Sequence, residues 1–208
     1  MAAGRDTKEI GRRVQVMRER RGHSAAELGA KAGISAEALI AIERGTSTPS
    51  VGELINLAKA LEVSAGQFFE LDVRPQRVEV VRAAERWRVE RTPGEGTTAL
   101  SYSYEALSFR LSDRLMQPFL IEVHMSPGEI AQLSHHEGEE FVYVLEGDLE
   151  LEVSGAKHHL CPGDSAYYDS RLPHVLRALS AQPARAIVVV AMTPPQGPTT
   201  LSALNRAF

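Results

Sequence analysis

Cysteine is almost absent from this chain of 208 residues, which holds only Cys161. A single cysteine excludes an intramolecular disulfide and is typical of proteins that fold in a reducing compartment. Long apolar runs are also missing, because no stretch reaches the roughly 18 uncharged residues that a membrane-spanning helix needs. The N-terminal sequence MAAGRDTKEIGRR lacks the apolar core of a secretory signal. We therefore expect a cytoplasmic protein that does not associate with a membrane.

A strong excess of positive charge is missing too, because the net charge is −4. The first 74 residues carry 11 basic and 10 acidic side chains, whereas the remainder carry 12 and 17. Six of the seven histidines lie after residue 123. The overall composition, 43% apolar and 24% charged, is that of a folded protein and excludes a disordered chain. The uneven distribution of charge and histidine indicates two parts with different chemistry.

Residues 8–70 have the apolar spacing of short helices joined by brief turns. Ser24 and Glu27 stand three residues apart at the start of the second segment, which is the pattern of a capping box. Three further segments follow, and the last of them ends at Phe68-Phe69. This pattern predicts an all-α bundle of five helices.

After residue 98 the apolar pattern changes to the alternation of short strands, separated by glycine and proline turns. Many short strands at even spacing predict an all-β barrel or jelly roll. The fold class is therefore α+β with two domains. The predicted boundaries are a helical domain at 1–72, a linker at 73–98, a β domain at 99–194 and a C-terminal tail at 195–208.

The helical part resembles the XRE (xenobiotic-response-element, lambda-repressor-like) family of helix-turn-helix DNA-binding domains. The resemblance is carried by residues 24–69, SAAELGAKAGISAEALIAIERGTSTPSVGELINLAKALEVSAGQFF. It implies that the turn at Gly33 lets the following helix lie in the major groove of DNA, and that Arg18 pairs with Glu43. The residues that it implies for DNA contact are Ser24, Ser35, Glu37, Arg44, Thr46 and Ser47. The alternative is a helical bundle that does not touch DNA.

The positions from which the XRE family reads bases hold unusual residues here, namely Ala25, Ala36, Glu37 and Ala41. Alanine contacts only a thymine methyl group, and Glu37 can accept a hydrogen bond from cytosine. Direct base readout is therefore expected to be poor, and contacts to phosphates to dominate. Either specificity comes from DNA shape and from the spacing of a dimer, or the module has drifted away from DNA.

The β part resembles the cupin family. The resemblance is carried by residues 127–176, PGEIAQLSHHEGEEFVYVLEGDLELEVSGAKHHLCPGDSAYYDSRLPHVL. It implies a jelly-roll barrel with a divalent metal held at its centre by His136, Glu140 and His174. The slot for the family's further histidine is Ser134, and His135 lies one residue out of phase. Because alternate residues of a strand share a face, Ser134 is expected to face the interior and His135 to point away.

Two histidines and one carboxylate suit a facial-triad Fe(II) site, or Zn(II) with added waters. The alternative is a metal-free barrel whose polar interior binds a ligand. The residues expected to bind a small-molecule effector are Tyr102, Tyr104, Ser134 and His135. His158 and His159 are expected at the surface, and Cys161 is expected to be a small packing residue.

The whole chain resembles the XRE–cupin transcriptional regulators. This resemblance implies a homodimer, or a higher homo-oligomer, that binds double-stranded DNA and senses a small-molecule effector. The alternative is a mononuclear iron oxygenase of the hydroxypropylphosphonate epoxidase type, which shares the architecture and the His-x-x-x-Glu plus distant His pattern. Those enzymes use a lysine from the helical domain, and this chain has none near Gly22-His23. We therefore expect a regulator with no catalytic residue.

Overall fold

A computed structural model describes residues 3–69, 78–91, 101–111, 114–125 and 133–192. Within this part of the chain there are four α-helices. Their bounds are α1 (Ala3–Arg20), α2 (Ala25–Ala32), α3 (Ala36–Glu43) and α4 (Val51–Ala60). In the described residues no helix is both long enough and apolar enough to cross a bilayer.

The prediction of five α-helices is wrong at the last position. The final helical segment is a four-residue 3-10 helix, Ala65–Phe68, capped by Ser64. Only six residues separate the cap from Phe69, which is too short a length for a stable α-helical segment. Gly66 also packs against the β domain, where an added Cβ would collide with Arg114 and with the carbonyl of Phe109.

The predicted start and stop signals of the helices are confirmed. Ser24 and Glu27 form a reciprocal capping box on α2, which ends at Gly33 in the left-handed conformation with φ of 72°. That conformation suits glycine and directs the chain from α2 into α3. A second capping box, Ser50 with Glu53, begins α4.

Nine β-strands are assigned in the described residues, and all of their pairings are antiparallel. Their bounds are β1 (Arg88–Arg91), β2 (Tyr102–Ala106), β3 (Met116–Val123), β4 (Glu139–Glu146), β5 (Leu149–Val153), β6 (Ala156–Leu160), β7 (Ser165–Asp169), β8 (His174–Ala178) and β9 (Ala184–Ala191). A six-stranded sheet has the order β1-β2-β3-β9-β4-β7, and a three-stranded sheet has the order β6-β5-β8. The apolar side chains between the sheets form the barrel core.

Part of the segment predicted as a linker belongs to the barrel. Strand β1 lies inside 73–98 and pairs with β2, and Val89 is fully buried. The sequence did not indicate this strand because charged residues surround Val89. In the structure these charges are paired, since Arg88 forms ion pairs with Glu105 on β2 and with Glu122 on β3. The predicted tail at 195–208 lies outside the described residues.

The expectation that Cys161 packs in the interior is wrong, since its side chain is exposed. Cys161 follows the last residue of β6, where the chain turns outward toward β7. Its backbone N–H donates to the carboxylate of Asp164 at 2.8 Å, which holds the turn together. His158 and His159 are exposed on β6, as predicted.

The helical domain packs directly against the barrel. Trp87 contacts the ring of Phe69, with 6.4 Å between ring centroids, and the guanidinium of Arg13 lies 5.0 Å from the Trp87 ring. At the start of α4, the Val51 N–H donates to the Tyr102 hydroxyl at 3.2 Å. The hydrogen bond between Val51 and Tyr102 holds the N-terminal end of α4 against strand β2 of the barrel.

Candidate metal centre and DNA-binding surface

The β domain brings together His136 in the segment before β4, Glu140 on β4 and His174 on β8, and all three side chains are buried. His174 begins β8 and forms an isolated antiparallel β-bridge with Ser134, in which each residue donates its backbone N–H to the carbonyl of the other. Ser134 precedes His136 by two residues. The His136 N–H donates to the carbonyl of Ser170 at 3.0 Å. The backbone therefore fixes both histidines before any ligand is considered.

The side-chain nitrogen atoms of the two histidines converge on one carboxylate. Nε2 of His136 lies 2.6 Å from Oε1 of Glu140, and Nε2 of His174 lies 3.7 Å from the same oxygen. The opposite ring nitrogen of His174 lies 2.8 Å from the carbonyl of Leu172. Such a contact fixes the ring and leaves Nε2 directed at the carboxylate.

Tyr168 completes this cluster, and sequence analysis missed it. Its hydroxyl donates to Oε2 of Glu140, which lies opposite Tyr168 in the β4–β7 pairing. Burial opposes ionisation of Glu140, but the bonds from His136 and Tyr168 and the nearby histidines outweigh it and lower the pKa of the carboxyl. Burial lowers the pKa of His174. A carboxylate beside a neutral imidazole is the protonation state that metal ligation requires.

The donor set fits a divalent cation. The ligand atoms of His136, Glu140 and His174 all lie within 4.8 Å of one another. Two imidazole nitrogens and one carboxylate oxygen are the ligands of both facial-triad Fe(II) and catalytic-type Zn(II) sites. A metal at this point would replace the short contact between His136 and Glu140.

The cavity above the three residues has one wall from the helical domain. Val51 and Gly52 of α4 line it together with Tyr102 of β2. A Cβ added at Gly52 would lie 3.2 Å from Cδ2 of His136. The α4 backbone therefore lies so close to the candidate metal ligand His136 that a side chain at position 52 would press against the imidazole ring.

A groove leads from this cavity to the turn of the helix-turn-helix. Gly33 lines the groove from the helical domain, and Tyr102, Ser134 and His135 line it from the β domain. Three of the four predicted effector residues thus share one surface. Tyr104 is fully buried instead, and its hydroxyl donates to the carbonyl of Pro49 at 3.0 Å, so it joins the two domains. The exposed side chain of His135 agrees with the predicted strand parity.

The ion pair predicted in the helical domain is confirmed. Nε and Nη2 of Arg18 lie 2.6 Å and 2.9 Å from the two oxygens of Glu43. A further nitrogen of Arg18 donates to the carbonyl of His23 at 2.9 Å. The pair ties α1 to α3, the helix that the XRE resemblance places in the major groove.

The predicted DNA-contact residues lie on and around α3. Ser35 caps α3, and its hydroxyl accepts the Ala38 N–H. Glu37 and Arg44 are exposed at the two ends of the helix, and the hydroxyl of Thr46 donates to the carbonyl of Ala41. Ser47 is exposed beside Thr46, and Ser24 caps α2. Helix α3 itself contains no Arg or Lys, and Arg44 follows its last residue.

Two family models match the chain in separate regions. A helix-turn-helix model (HTH_3) matches residues 14–68, and a cupin domain model matches residues 121–190. The chain joins an XRE-type helix-turn-helix domain to a C-terminal cupin domain. This helix-turn-helix–cupin chain is also 23% identical over 181 residues to the HTH-type transcriptional regulator PuuR of Escherichia coli (strain K12). The match covers 85% of this chain and 91% of PuuR.

Among solved structures, the chain resembles an HTH_3 family transcriptional regulator from Vibrio cholerae with a TM-score of 0.57 and 22% identity. The match covers 92% of this chain and 99% of that one, which supports the fold of both domains together. Hydroxypropylphosphonic acid epoxidase from S. wedmorenis is 22% identical, with a TM-score of 0.45 and coverage of 88% and 97%.

Proposed function

We propose that this protein is a cytoplasmic transcriptional regulator that binds double-stranded DNA and senses a small polar effector in its cupin domain. One observation carries the proposal: α4 of the helix-turn-helix domain is also a wall of the cavity that holds His136, Glu140 and His174. Any molecule that fills this cavity must touch the DNA-binding domain. The homology to PuuR supports the same reading.

The DNA interface proposed here relies on phosphate contacts. Arg44 would supply positive charge, and Thr46 and Ser47 would supply hydroxyl groups next to α3. Contacts of this kind position a protein on DNA but carry no sequence information. Glu37 is the only long polar side chain in the first turn of α3. The direct base contact expected there is therefore limited to a hydrogen bond that Glu37 accepts from the amino group of cytosine. Affinity should therefore fall steeply with rising salt concentration.

The effector site combines the candidate metal with the groove. His136, Glu140 and His174 would hold Fe(II) or Zn(II), and the metal would supply a Lewis acid that binds an oxygen atom of the effector. Tyr168 keeps Glu140 oriented through its hydroxyl hydrogen bond. Tyr102, Ser134 and His135 would contact the parts of the effector that lie in the groove. An effector held there also meets Gly33, at the turn between α2 and α3.

A homodimer is the assembly that this architecture favours. The outer face of the β4–β7 pair carries large apolar side chains, and Phe141, Tyr143 and Tyr167 are 38%, 40% and 64% exposed. Phe141 and Tyr167 lie directly opposite each other across the two strands. Exposed apolar surface of this kind is a common protein interface, and a two-fold dimer would present two helix-turn-helix domains to successive turns of DNA.

The proposal is tested by measuring binding to the DNA upstream of the protein's own coding sequence. Fluorescence anisotropy should show tighter binding than to a shuffled duplex, and the affinity should change when the metal-free protein is loaded with Zn(II) or Fe(II). Equal affinity for both duplexes, with and without metal, would refute the proposal that this protein is a transcriptional regulator. Sustained oxygen consumption by the Fe(II) protein with small phosphonates would instead support the oxygenase that shares this donor set.

A further inference from the structure

A second group of metal-ligating side chains lies at the far end of the barrel. It consists of Asp148 in the β4–β5 turn, His159 on β6 and Cys161 after β6. Glu140 stands near the start of β4, and Asp148 follows the end of the same strand. The two groups are therefore separated by the length of β4 and share no residue.

The register of the sheet brings these three residues together. Leu149 pairs with Leu160 across β5 and β6, so that the next residues outward, Asp148 and Cys161, come opposite each other. His159 is two residues before Cys161 and thus shares its face of the strand. The Asp164 carboxylate holds the Cys161 backbone, and the Leu179 N–H donates to the Asp148 carbonyl at 3.0 Å. Backbone contacts thus fix two of the three positions.

The distances between the donor atoms are close to those of a tetrahedral site. Sγ of Cys161 lies 3.8 Å from Nε2 of His159, which lies 3.8 Å from Oδ1 of Asp148. With Zn–S near 2.3 Å and Zn–N or Zn–O near 2.1 Å, tetrahedral geometry requires about 3.6 Å and about 3.4 Å for these two separations. These two separations are thus within a few tenths of an ångström of the tetrahedral values, and all three donor atoms lie within 4.8 Å of one another.

We propose that Asp148, His159 and Cys161 form a second, surface-exposed binding site for a thiophilic divalent metal such as Zn(II), independent of the barrel centre. One thiolate, one imidazole and one carboxylate make three protein ligands and leave the fourth tetrahedral position to water. The thiolate favours Zn(II), Co(II) or Cd(II) over Mg(II) and Ca(II). Bound metal would tie the β4–β5 turn to the end of β6.

The electrostatics of the group predict a pH dependence for metal binding at this site. Desolvation, a hydrogen bond with Asp148 and the negative charges of Asp148 and Asp164 together raise the pKa of the Cys161 thiol. A divalent cation at the same point reverses the effect, because a thiol that coordinates a metal is deprotonated. Metal uptake should therefore release a proton and strengthen as the pH rises.

The single cysteine makes the test specific. Cys161 is the only thiol in the chain, so that any thiolate-to-cobalt charge-transfer absorption must come from this site and not from the barrel centre. We expect Co(II) titration of the full-length protein to produce that band, with one Co(II) per chain bound at this site in addition to any Co(II) held at the barrel centre. Cys161→Ser should abolish it. His159→Ala and Asp148→Asn should weaken Co(II) affinity about tenfold or more, since even the loss of outer-shell partners has an effect of that size.

His158→Ala is the matched control, because His158 neighbours His159 on β6 but points to the opposite face of the strand. It should leave the band and the affinity unchanged. Zn(II) should also slow alkylation of Cys161 in the wild type and in His158→Ala, but not in His159→Ala. The proposal is overturned if no charge-transfer band forms, or if the band keeps its full affinity in both His159→Ala and Asp148→Asn. Because the substituted histidines and Cys161 are exposed and the Asp148 side chain is about half exposed, every variant should fold as the wild type does.

Discussion

Arg18→Ala tests whether the ion pair with Glu43 holds the helix-turn-helix together. Both oxygens of Glu43 accept from Arg18, at 2.6 Å and 2.9 Å, and the two side chains are only 13% and 6% exposed. Removal of the guanidinium leaves a buried carboxylate without its cationic partner and also frees the carbonyl of His23. The substitution should therefore destabilise α3 more than the loss of a surface ion pair would.

The size of the effect follows from the burial. Removal of one partner from a buried ion pair costs about 3–5 kcal/mol of unfolding free energy. Arg18 keeps some contact with solvent, and water can enter the space that it leaves, so we expect about 3 kcal/mol. For a chain of this length each kcal/mol lowers the Tm by about 2–4 °C. The expected decrease is thus about 6–12 °C, followed by far-ultraviolet circular dichroism on heating.

Two further variants make the result interpretable. Arg12 forms a comparable ion pair with Glu9 on the exposed face of α1, so the Tm of Arg12→Ala should equal that of the wild type within error. Arg18→Ala combined with Glu43→Met removes both charges and should recover much of the loss. The reasoning is refuted if Arg18→Ala has the Tm of the wild type, or if the Tm of the double variant is as low as that of Arg18→Ala.

Two other substitutions test the site and its coupling to α4, and a third tests the pH dependence of stability. Zn(II) binding at the barrel centre is measured by equilibrium dialysis in a Cys161→Ser background, which lacks the second proposed site. Glu140→Gln keeps the shape of the side chain but removes the anionic donor, so this Zn(II) affinity should fall about tenfold or more, and unchanged affinity would exclude Glu140 as a ligand. Gly52→Ala places a Cβ 3.2 Å from Cδ2 of His136, so it should weaken metal binding while DNA binding without metal is retained. Metal affinity equal to that of the matched Gly52 protein would show that α4 does not affect the metal site. Glu79 accepts from the Phe109 N–H at 3.1 Å, and this bond and others like it outweigh desolvation and lower the pKa of the carboxyl. The contribution of Glu79 is thus present above the unfolded-state pKa of about 4.3 and is lost as the pH falls through the folded-state value. The Tm difference between wild type and Glu79→Gln should shrink on acidification below pH of about 4, and a constant difference would contradict this.

The sequence was sufficient for those features that depend on local spacing. The capping box of Ser24 and the left-handed turn at Gly33 follow from residues three to nine apart, and both are present. The parity of Ser134, His136 and Glu140 predicted which face of the barrel they share, and the structure brings His136 and Glu140 together on it. Such patterns can be read from the sequence because strand and helix periods are fixed.

The features that were missed depend on residues far apart in the chain. Tyr168 meets Glu140 through the β4–β7 register, and Gly52 meets His136 only because two domains pack together. Neither residue has a signature in its own neighbourhood. Cys161 was misread for a related reason, because its exposure depends on where β6 ends, and element boundaries are the least certain part of a sequence-based prediction.

The position of α4 explains how an effector signal could reach DNA without a long pathway. Its N-terminal residues Val51 and Gly52 line the cavity, whereas Leu54 and Leu57 are fully buried in the core of the helix-turn-helix domain. A closely packed core does not absorb a displacement at one end of a helix without repacking. Displacement of Gly52 by an occupant would therefore shift Leu54 and Leu57, and with them the α2–α3 unit that packs on α4. The same contact that limits the size of the occupant would thus set the orientation of the DNA-binding helices.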